Sequence, residues 1–212
     1  MSSRATRCYD FREVSPADLP LLTKWQTQPH VLEWWDTDAP YNEDDLNDPR
    51  VSRWIVSCDK RAFAYMQDYT VHGWPDHHFA GLPIGSRGID QFIGEPDMVG
   101  QGHGTAFMRQ HLQKLFKEGT PVIGTDPHPH NARAIAAYGK LGFKAIGPPQ
   151  DTQWGLILPM TVTPKTKAPS FLLPKIPRGR RQRRRGQSPH LSDGRRPFET
   201  KKTTQKGGPC KF

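Results

Sequence analysis

Over its first 160 residues the chain is built of short blocks whose hydrophobic period changes repeatedly. Cys8 to Val14 alternates apolar and polar residues and reads as a strand. Ser15-Pro16-Ala17-Asp18 then offers a hydroxyl cap, a proline at the first helical position and an acid in the first turn. The helix it opens carries Leu19, Leu21, Leu22 and Trp25. It stops near Gln28-Pro29, because a residue before proline is pushed out of the helical region. Ser52–Ser57 and Ala62–Val71 are rich in β-branched and aromatic residues around Cys58-Asp59-Lys60-Arg61, the pattern of a β-hairpin. A long loop, His72–Ser86, leads to a short strand, Gly88–Gly94, interrupted by Asp90 and Gln91. Phe107, Met108, Leu112, Leu115 and Phe116 repeat at helical spacing up to Gly119. Pro121–Thr125 reads as a strand, Asn131–Leu141 as a helix closed by Gly142, and Phe143–Ile146 and Gly155–Met160 as two last strands. The order β-α-(α)-β-β-β-α-β-α-β-β predicts an α+β domain with a mixed sheet and helices on its faces.

Charge divides the chain in two. Residues 1–163 hold 15 Lys and Arg against 19 Asp and Glu, a net of −4. Residues 164–212 hold 15 against 2, a net of +13, and bring seven prolines with almost no periodic apolar pattern. The chain therefore reads as a mildly acidic domain, 1–163, followed by a disordered basic Pro/Arg-rich tail, 164–212. The run Arg178–Arg185 suits nucleic acid or an anionic surface, whereas the acidic body does not. Three scattered cysteines (Cys8, Cys58, Cys210) have no metal or redox spacing and favour a reducing, cytoplasmic setting. The sequence shows neither a membrane span nor a secretory signal. Asp76, His77 and His78 sit close together, but their spacing matches no standard metal site, and no metal is expected.

The candidate chemistry lies between Arg87 and Phe143. Gly100, Gly102 and Gly104 leave the backbone bare where the chain enters a helix, so exposed N–H groups and the positive helix end converge. That is an anion site suited to a pyrophosphate. It lacks the Lys-Ser/Thr of a Walker loop and the glycine spacing of a dinucleotide fold. An acid at Asp90 in a central strand is costly unless it is paired or faces a cleft. The paired tryptophans Trp34 and Trp35 are core anchors or a pocket wall, and adjacent side chains seldom share one direction.

The run Val99-Gly100-Gln101-Gly102-His103-Gly104-Thr105 resembles the acetyl-CoA loop of the GNAT superfamily of N-acetyltransferases. Asn131, Ala134, Ala137, Tyr138 and Leu141-Gly142-Phe143 resemble that family's second CoA motif. Within the superfamily, Arg87-Gly88-Ile89-Asp90-Gln91, Thr125-Asp126-Pro127 and Glu33-Trp34-Trp35 look like aminoglycoside 6'-N-acetyltransferases. The resemblance covers about residues 8–160 and implies a mostly antiparallel GNAT-like sheet. It also implies acetyl transfer from acetyl-CoA to an amine of a cationic small molecule, with the antibiotic resistance that follows. Backbone amides from Val99 to Thr105 would then hold the CoA pyrophosphate, and Asn131 the cofactor arm. Asp90 would serve as general base, directly or through a water, and Tyr138 would protonate the leaving thiolate. Asp126 would bind another ammonium of the acceptor, with Trp34 or Trp35 lining its pocket and Asp76 on the flap.

Two departures matter, the first for a cofactor contact and the second for the substrate. Val99 stands where many such loops carry Arg or Gln, and the flap carries only Asp76 where a polycation would call for several acids. A hydroxylysine-type amine of siderophore synthesis is therefore a second reading. A nucleic-acid-binding protein that works through its tail, with a degenerate body, is a third.

Overall fold

The structure, a computed structural model, describes residues 8–35 and 41–164. The expected basic tail beyond Pro164, and residues 36–40, lie outside the described residues.

A seven-stranded sheet runs in the order β1-β2-β3-β4-β5-β9-β6. Its strands are β1 (Tyr9–Glu13), β2 (Val51–Cys58), β3 (Arg61–Thr70), β4 (Arg87–Ile93), β5 (Ile123–Thr125), β6 (Lys144–Ala145) and β9 (Met160–Val162). Every neighbouring pair is antiparallel except β4–β5, which is the mixed, mostly antiparallel sheet expected. β2 and β3 form the predicted hairpin. Its tip residues Asp59 and Lys60 have φ of 50° and 66°, the left-handed backbone a two-residue turn needs to match strand twist.

The sequence blocks differ from the observed elements at two places. Pro29 opens a second short helix instead of only ending the first: α1 is Leu19–Gln26 and α2 is Pro29–Leu32, proline serving at the first turn. The single strand expected over Gly155–Met160 is broken at Leu158-Pro159. Its first half, β8 (Gly155–Ile157), pairs with β7 (Gln150–Thr152) in a separate two-stranded ribbon, and β9 joins the main sheet. Proline has no N–H to continue a ladder, and the carbonyl of Pro159 accepts from the N–H of Ile146 instead. A further short helix, α3 (Glu43–Leu46), is capped by Asn42, whose Oδ1 accepts from the amides of Asp44 and Asp45.

Two helices pack on one face of the sheet, α4 (His103–Lys117) and α5 (Ala132–Leu141). Phe107, Met108, Leu112 and Leu115 of α4 meet Met66, Ile89 and Ile123 in a single core. On the opposite face Leu22, Trp25, Val31 and Trp35 cover Ile55, Tyr65 and Phe92. The alternation of β3 and β4 fixes which side chain goes where: Asp90 lies opposite Gln67, while Ile89 and Gln91 take the α4 face.

The β4–β5 ladder has only two pairs, Arg87 with Ile123 and Gly88 with Gly124. Both glycines lie under aromatic rings. A Cβ on Gly88 would sit 2.2 Å from the Tyr69 ring, and one on Gly124 would sit 2.7 Å from the Phe79 ring. Neither ring can yield, because Tyr69 and Phe79 are themselves buried. Gly88→Ala should therefore destabilise the fold by about 1–3 kcal/mol through overpacking. Gly139→Ala, on the exposed face of α5 where an added Cβ meets nothing, should stabilise it by about 0.5–1 kcal/mol. Urea melts of the two variants check both signs, and equal midpoints would remove the close ring contact as a constraint.

Candidate active site

Beyond Gly88 the strands part. β4 continues for five more residues, to Ile93, with no strand on that edge, whereas β5 ends at Thr125 and the chain turns toward α5. A cavity of about 290 Å³ occupies the opening. Gln91, Phe92 and Ile93 form one wall, and Asn131, Ala134 and Ala137 of α5 form the other. Arg133 and Lys140 add two cationic side chains, and His30 and Trp34 close a further side.

The glycine loop forms the remaining wall. Gly100 and Gly102 have φ of 77° and 80°, which residues with a Cβ rarely adopt. Gly104 has no such requirement, being the second residue of α4. Among the described residues the N–H groups of Gly100, Gly102, Gly104 and Thr105 donate to no backbone carbonyl. All four residues line the cavity. They gather at the N-terminus of a 15-residue helix, where the aligned peptide dipoles favour an anion. Val99 departs from the sequence expectation. It lines the cavity, but its N–H is spent on the Pro96 carbonyl at 3.2 Å, closing a 3-10 turn. His103 turns its ring into the core, where Nδ1 lies 3.0 Å from the Tyr9 hydroxyl. Gln101 points away, its side-chain amide donating to the Asp97 carbonyl. Neither His103 nor Gln101 lines the cavity.

Asn131 carries two duties. Its Oδ1 caps α5 by accepting from the N–H of Ala134 at 3.0 Å, and the residue also faces the cavity. Such a cap is worth about 1 kcal/mol, so the residue holds the wall in place whatever it binds.

Behind the cavity, at the point where the strands part, lie Asp90, Asp126 and Tyr138, all buried. Oδ2 of Asp90 accepts from Gln67 Nε2 at 2.8 Å, and Gln67 Oε1 accepts from the Tyr65 hydroxyl at 2.8 Å. Among the described residues, Oδ1 of Asp90 has no hydrogen-bond partner. Burial, then the nearby Asp126 carboxylate, raises the Asp90 carboxyl well above its ordinary value, and the Gln67 amide only partly offsets this. Burial also raises the Tyr138 phenol, with Asp90 and Asp126 adding to it, so the hydroxyl keeps its proton at neutral pH. Thr125 and Gln91 lie close enough to Tyr138 to temper that rise, yet neither is angled to complete a hydrogen bond with it.

The two tryptophans separate as adjacent side chains should. Trp35 is a core wedge, edge-on to Phe92 at 4.8 Å and to Tyr65 at 5.8 Å, and it also borders the cavity. Trp34 is half-buried on the cavity rim, its ring 5.8 Å from that of His128. Asp76 does not join the site. It is exposed at a turn, with φ of 60°, and lies away from the cavity. The flap reaches the acids through His78 instead, whose Nε2 is 2.9 Å from Asp126 Oδ2. His77 is packed beside it, and burial lowers the His77 imidazole to about 3, leaving that ring neutral. Residue type alone does not pick out His78, Arg133, Lys140 or Gln91. The one usable signal was helical spacing, since Arg133, Ala137 and Lys140 fall on one face of α5.

A helix start with unspent amides thus lies near a buried acid pair and a protonated tyrosine. Residues 15–149 match the acetyltransferase (GNAT) domain family. The chain is 30% identical over 152 residues to an aminoglycoside N(6')-acetyltransferase type 1 of Klebsiella pneumoniae, covering 64% of this chain and 74% of that protein. It is 32% identical over 153 residues to an N-hydroxyputrescine acetyltransferase of Acinetobacter baumannii, covering 68% and 71%. Among solved structures, it is similar to AAC(6')-Ib in complex with paromomycin and acetyl-CoA, at a TM-score of 0.67 and 29% identity over 76% of this chain and 98% of that one. AAC(6')-Ib with coenzyme A and kanamycin gives 0.67 and 30%, over 74% and 95%.

The chain belongs to the GNAT acetyltransferase family and is an acetyl-CoA-dependent N-acetyltransferase. Among the described residues no helix is long and apolar enough to cross a membrane, and no three His, Cys, Asp or Glu side chains are grouped to hold a metal ion.

The raised Asp90 carboxyl makes a stability prediction. A folded-state value above the unfolded one stabilises the fold only at low pH, and that contribution is lost as pH rises through the folded value. Asp90→Asn keeps an acceptor for Gln67 and removes the ionisation. Its melting temperature should exceed that of the parent at pH 8, and the margin should close as pH falls to about 4, the ordinary carboxyl range. A margin independent of pH would show that Asp90 is not the group that titrates.

Proposed function

We propose that the acceptor is a primary amine of a cationic, aminoglycoside-type molecule, acetylated at the 6' position, with residues 1–163 forming the catalytic domain. The observation that carries this reading is the burial of Asp90 and Asp126 together beside Tyr138, where β4 and β5 part. Two neighbouring carboxylates suit a substrate bearing more than one ammonium. The names of the similar proteins point to the same acceptor class.

The donor enters through the cavity. The free amides of Gly100, Gly102, Gly104 and Thr105 offer donors to its pyrophosphate, with Arg133 and Lys140 supplying opposite charge nearby. Asn131 and the unpaired edge of β4 flank the arm that leads to the thioester. At the inner end an ammonium reaches Asp90 and gives up a proton to the carboxylate, whose raised pKa suits proton exchange with an amine near neutral pH. The freed lone pair attacks the thioester carbonyl carbon, forming the C–N bond. As the C–S bond breaks, the sulfur takes the electron pair and accepts the Tyr138 proton, and the second proton that the nitrogen sheds on becoming an amide returns to the Tyr138 phenolate. No enzyme nucleophile is needed, because holding amine and thioester together lowers the barrier by itself. Asp126 would hold a second ammonium and Trp34 the body of the acceptor. We place the reaction in the cytoplasm, in keeping with three scattered cysteines that have no redox or metal spacing.

A second acceptor class has its own support. The similarity to an N-hydroxyputrescine acetyltransferase, together with an exposed Asp76 and a flap that brings histidines to the acids, favours a smaller hydroxylated amine of the hydroxylysine type. Thiol release from acetyl-CoA with kanamycin, N-hydroxyputrescine and hydroxylysine as acceptors separates the two, the first giving the highest kcat/KM on the principal reading. Asp90→Asn should lower kcat at pH 7 by roughly 10²–10⁴ while moving the KM for acetyl-CoA little. Tyr138→Phe should cost roughly tenfold or less, because a thiolate leaves readily without full protonation. An unchanged kcat in either variant removes that residue from its role.

A further inference from the structure

Asp126 already has an imidazole against it from its own chain. Nε2 of His78 lies 2.9 Å from Asp126 Oδ2, and the two side chains are 4% and 5% exposed. The contact is not a directed hydrogen bond, since neither ring nitrogen of His78 has a hydrogen-bond partner. Packing holds the ring there. His77 stacks on it at 4.4 Å and 25°, and Phe79 lies at 4.3 Å. Trp154, in the turn between β7 and β8, meets it nearly edge-on at 5.6 Å and meets His77 at 4.9 Å. The 72–86 loop and the β7–β8 ribbon, which is outside the main sheet, thus close together over the acids.

The polar atoms beneath this cover are poorly served. Among the described residues, Oδ1 of Asp90 and Oδ1 of Asp126 are buried with no hydrogen-bond partner. A buried acceptor without a donor leaves its desolvation uncompensated. The imidazole approaches at a poor angle and satisfies neither. An alkylammonium group carries three donors that rotate freely about the C–N bond, so it can serve a carboxylate that the fixed ring cannot.

We propose that His78 is a specificity-determining residue: its ring occupies the place on Asp126 that the second ammonium of a diamine or polyamine acceptor takes, and such an acceptor enters by displacing the ring from beneath Trp154. This rests on the reading of Asp126 as the acceptor's anchor. A monoamine has no second cation with which to displace the ring, so the cover excludes it. His78 acts through access to Asp126 and takes no part in bond making.

The test is the response of binding and turnover to the ring. For His78→Ala, the KM for kanamycin should fall roughly five- to tenfold, because the competent form no longer has to be won from the closed one. The change in kcat should be smaller, and the monoamine glucosamine, which the cover excludes from the parent, should become an acceptor. His78→Gln, which keeps a polar group but not the stacked ring, should show the same direction. In the parent protein with coenzyme A, adding kanamycin should shift the ring resonances of His78, assigned by their loss in His78→Gln. This reading holds even if His78→Ala folds poorly. A KM that is unchanged or raised in a folded variant overturns the proposal, as do unmoved His78 resonances while calorimetry shows kanamycin bound. If the parent neither binds nor acetylates any diamine, the acceptor reading itself has failed and this inference with it. Normal turnover with no response at His78 overturns the inference alone.

Discussion

The parting of β4 from β5 after Gly88 is the constraint on which the site depends. Two ladder pairs hold the strands together, and the glycines at the second pair admit the rings of Tyr69 and Phe79. Past that point β4 keeps its pairing with β3 as far as Ile93 but has no strand on its other side. A fully paired sheet would have no room between these strands. An unpaired one would lose the register that sets Asp90 and Gln91 on opposite faces. The short parallel ladder gives both an anchored origin and an opening, and the glycine loop and α5 stand as the walls of that opening.

The opening is electrically graded. Its walls carry the N-terminus of α4, Arg133 and Lys140, while Asp90 and Asp126 are buried behind it and do not line it. A helix end contributes about 0.3–1 kcal/mol toward an anion at exposed sites, whereas a buried unpaired charge costs several kcal/mol. The inner acids, and not the loop, therefore carry the main energetic cost of the site. Tyr138 stands next to those acids with its proton retained by the same burial that raises Asp90.

Asp68 shows what Asp90 lacks. The two acids lie on adjacent strands, in neighbouring pairs of the β3–β4 register, and face opposite sides of the sheet. Burial pushes the Asp68 carboxyl up, but His111 at 2.9 Å, Arg87 and the indole of Trp54 at 3.0 Å outweigh it and hold it below its usual value. Asp90 receives one amide from Gln67 and a second carboxylate nearby. One sheet thus contains a saturated acid that ties α4 to β3 and β4, and an unsaturated one free to exchange a proton.

Local chemistry accounts for what was readable from the residues. Ser15 and Asp18 form their capping box, and Asp59-Lys60 turns the hairpin. Gly119 and Gly142 end their helices at positive φ, and the family motifs fixed the GNAT class. Each depends on residues a few positions apart. The break at Pro159 and the short helix at Pro29 were harder to read, because a proline at a boundary signals a stop or a start alike. The partners across the fold were not legible. Tertiary packing put Asp76 in solvent and His78 on Asp126, spent the Val99 amide on its own turn, and sent the His103 ring to Tyr9. By itself the sequence determined the elements, the glycine loop at the helix start and the family. Only the three-dimensional structure decided which of the acids is left without a counter-charge, since that depends on groups 14 to 43 residues away that no local pattern brings together.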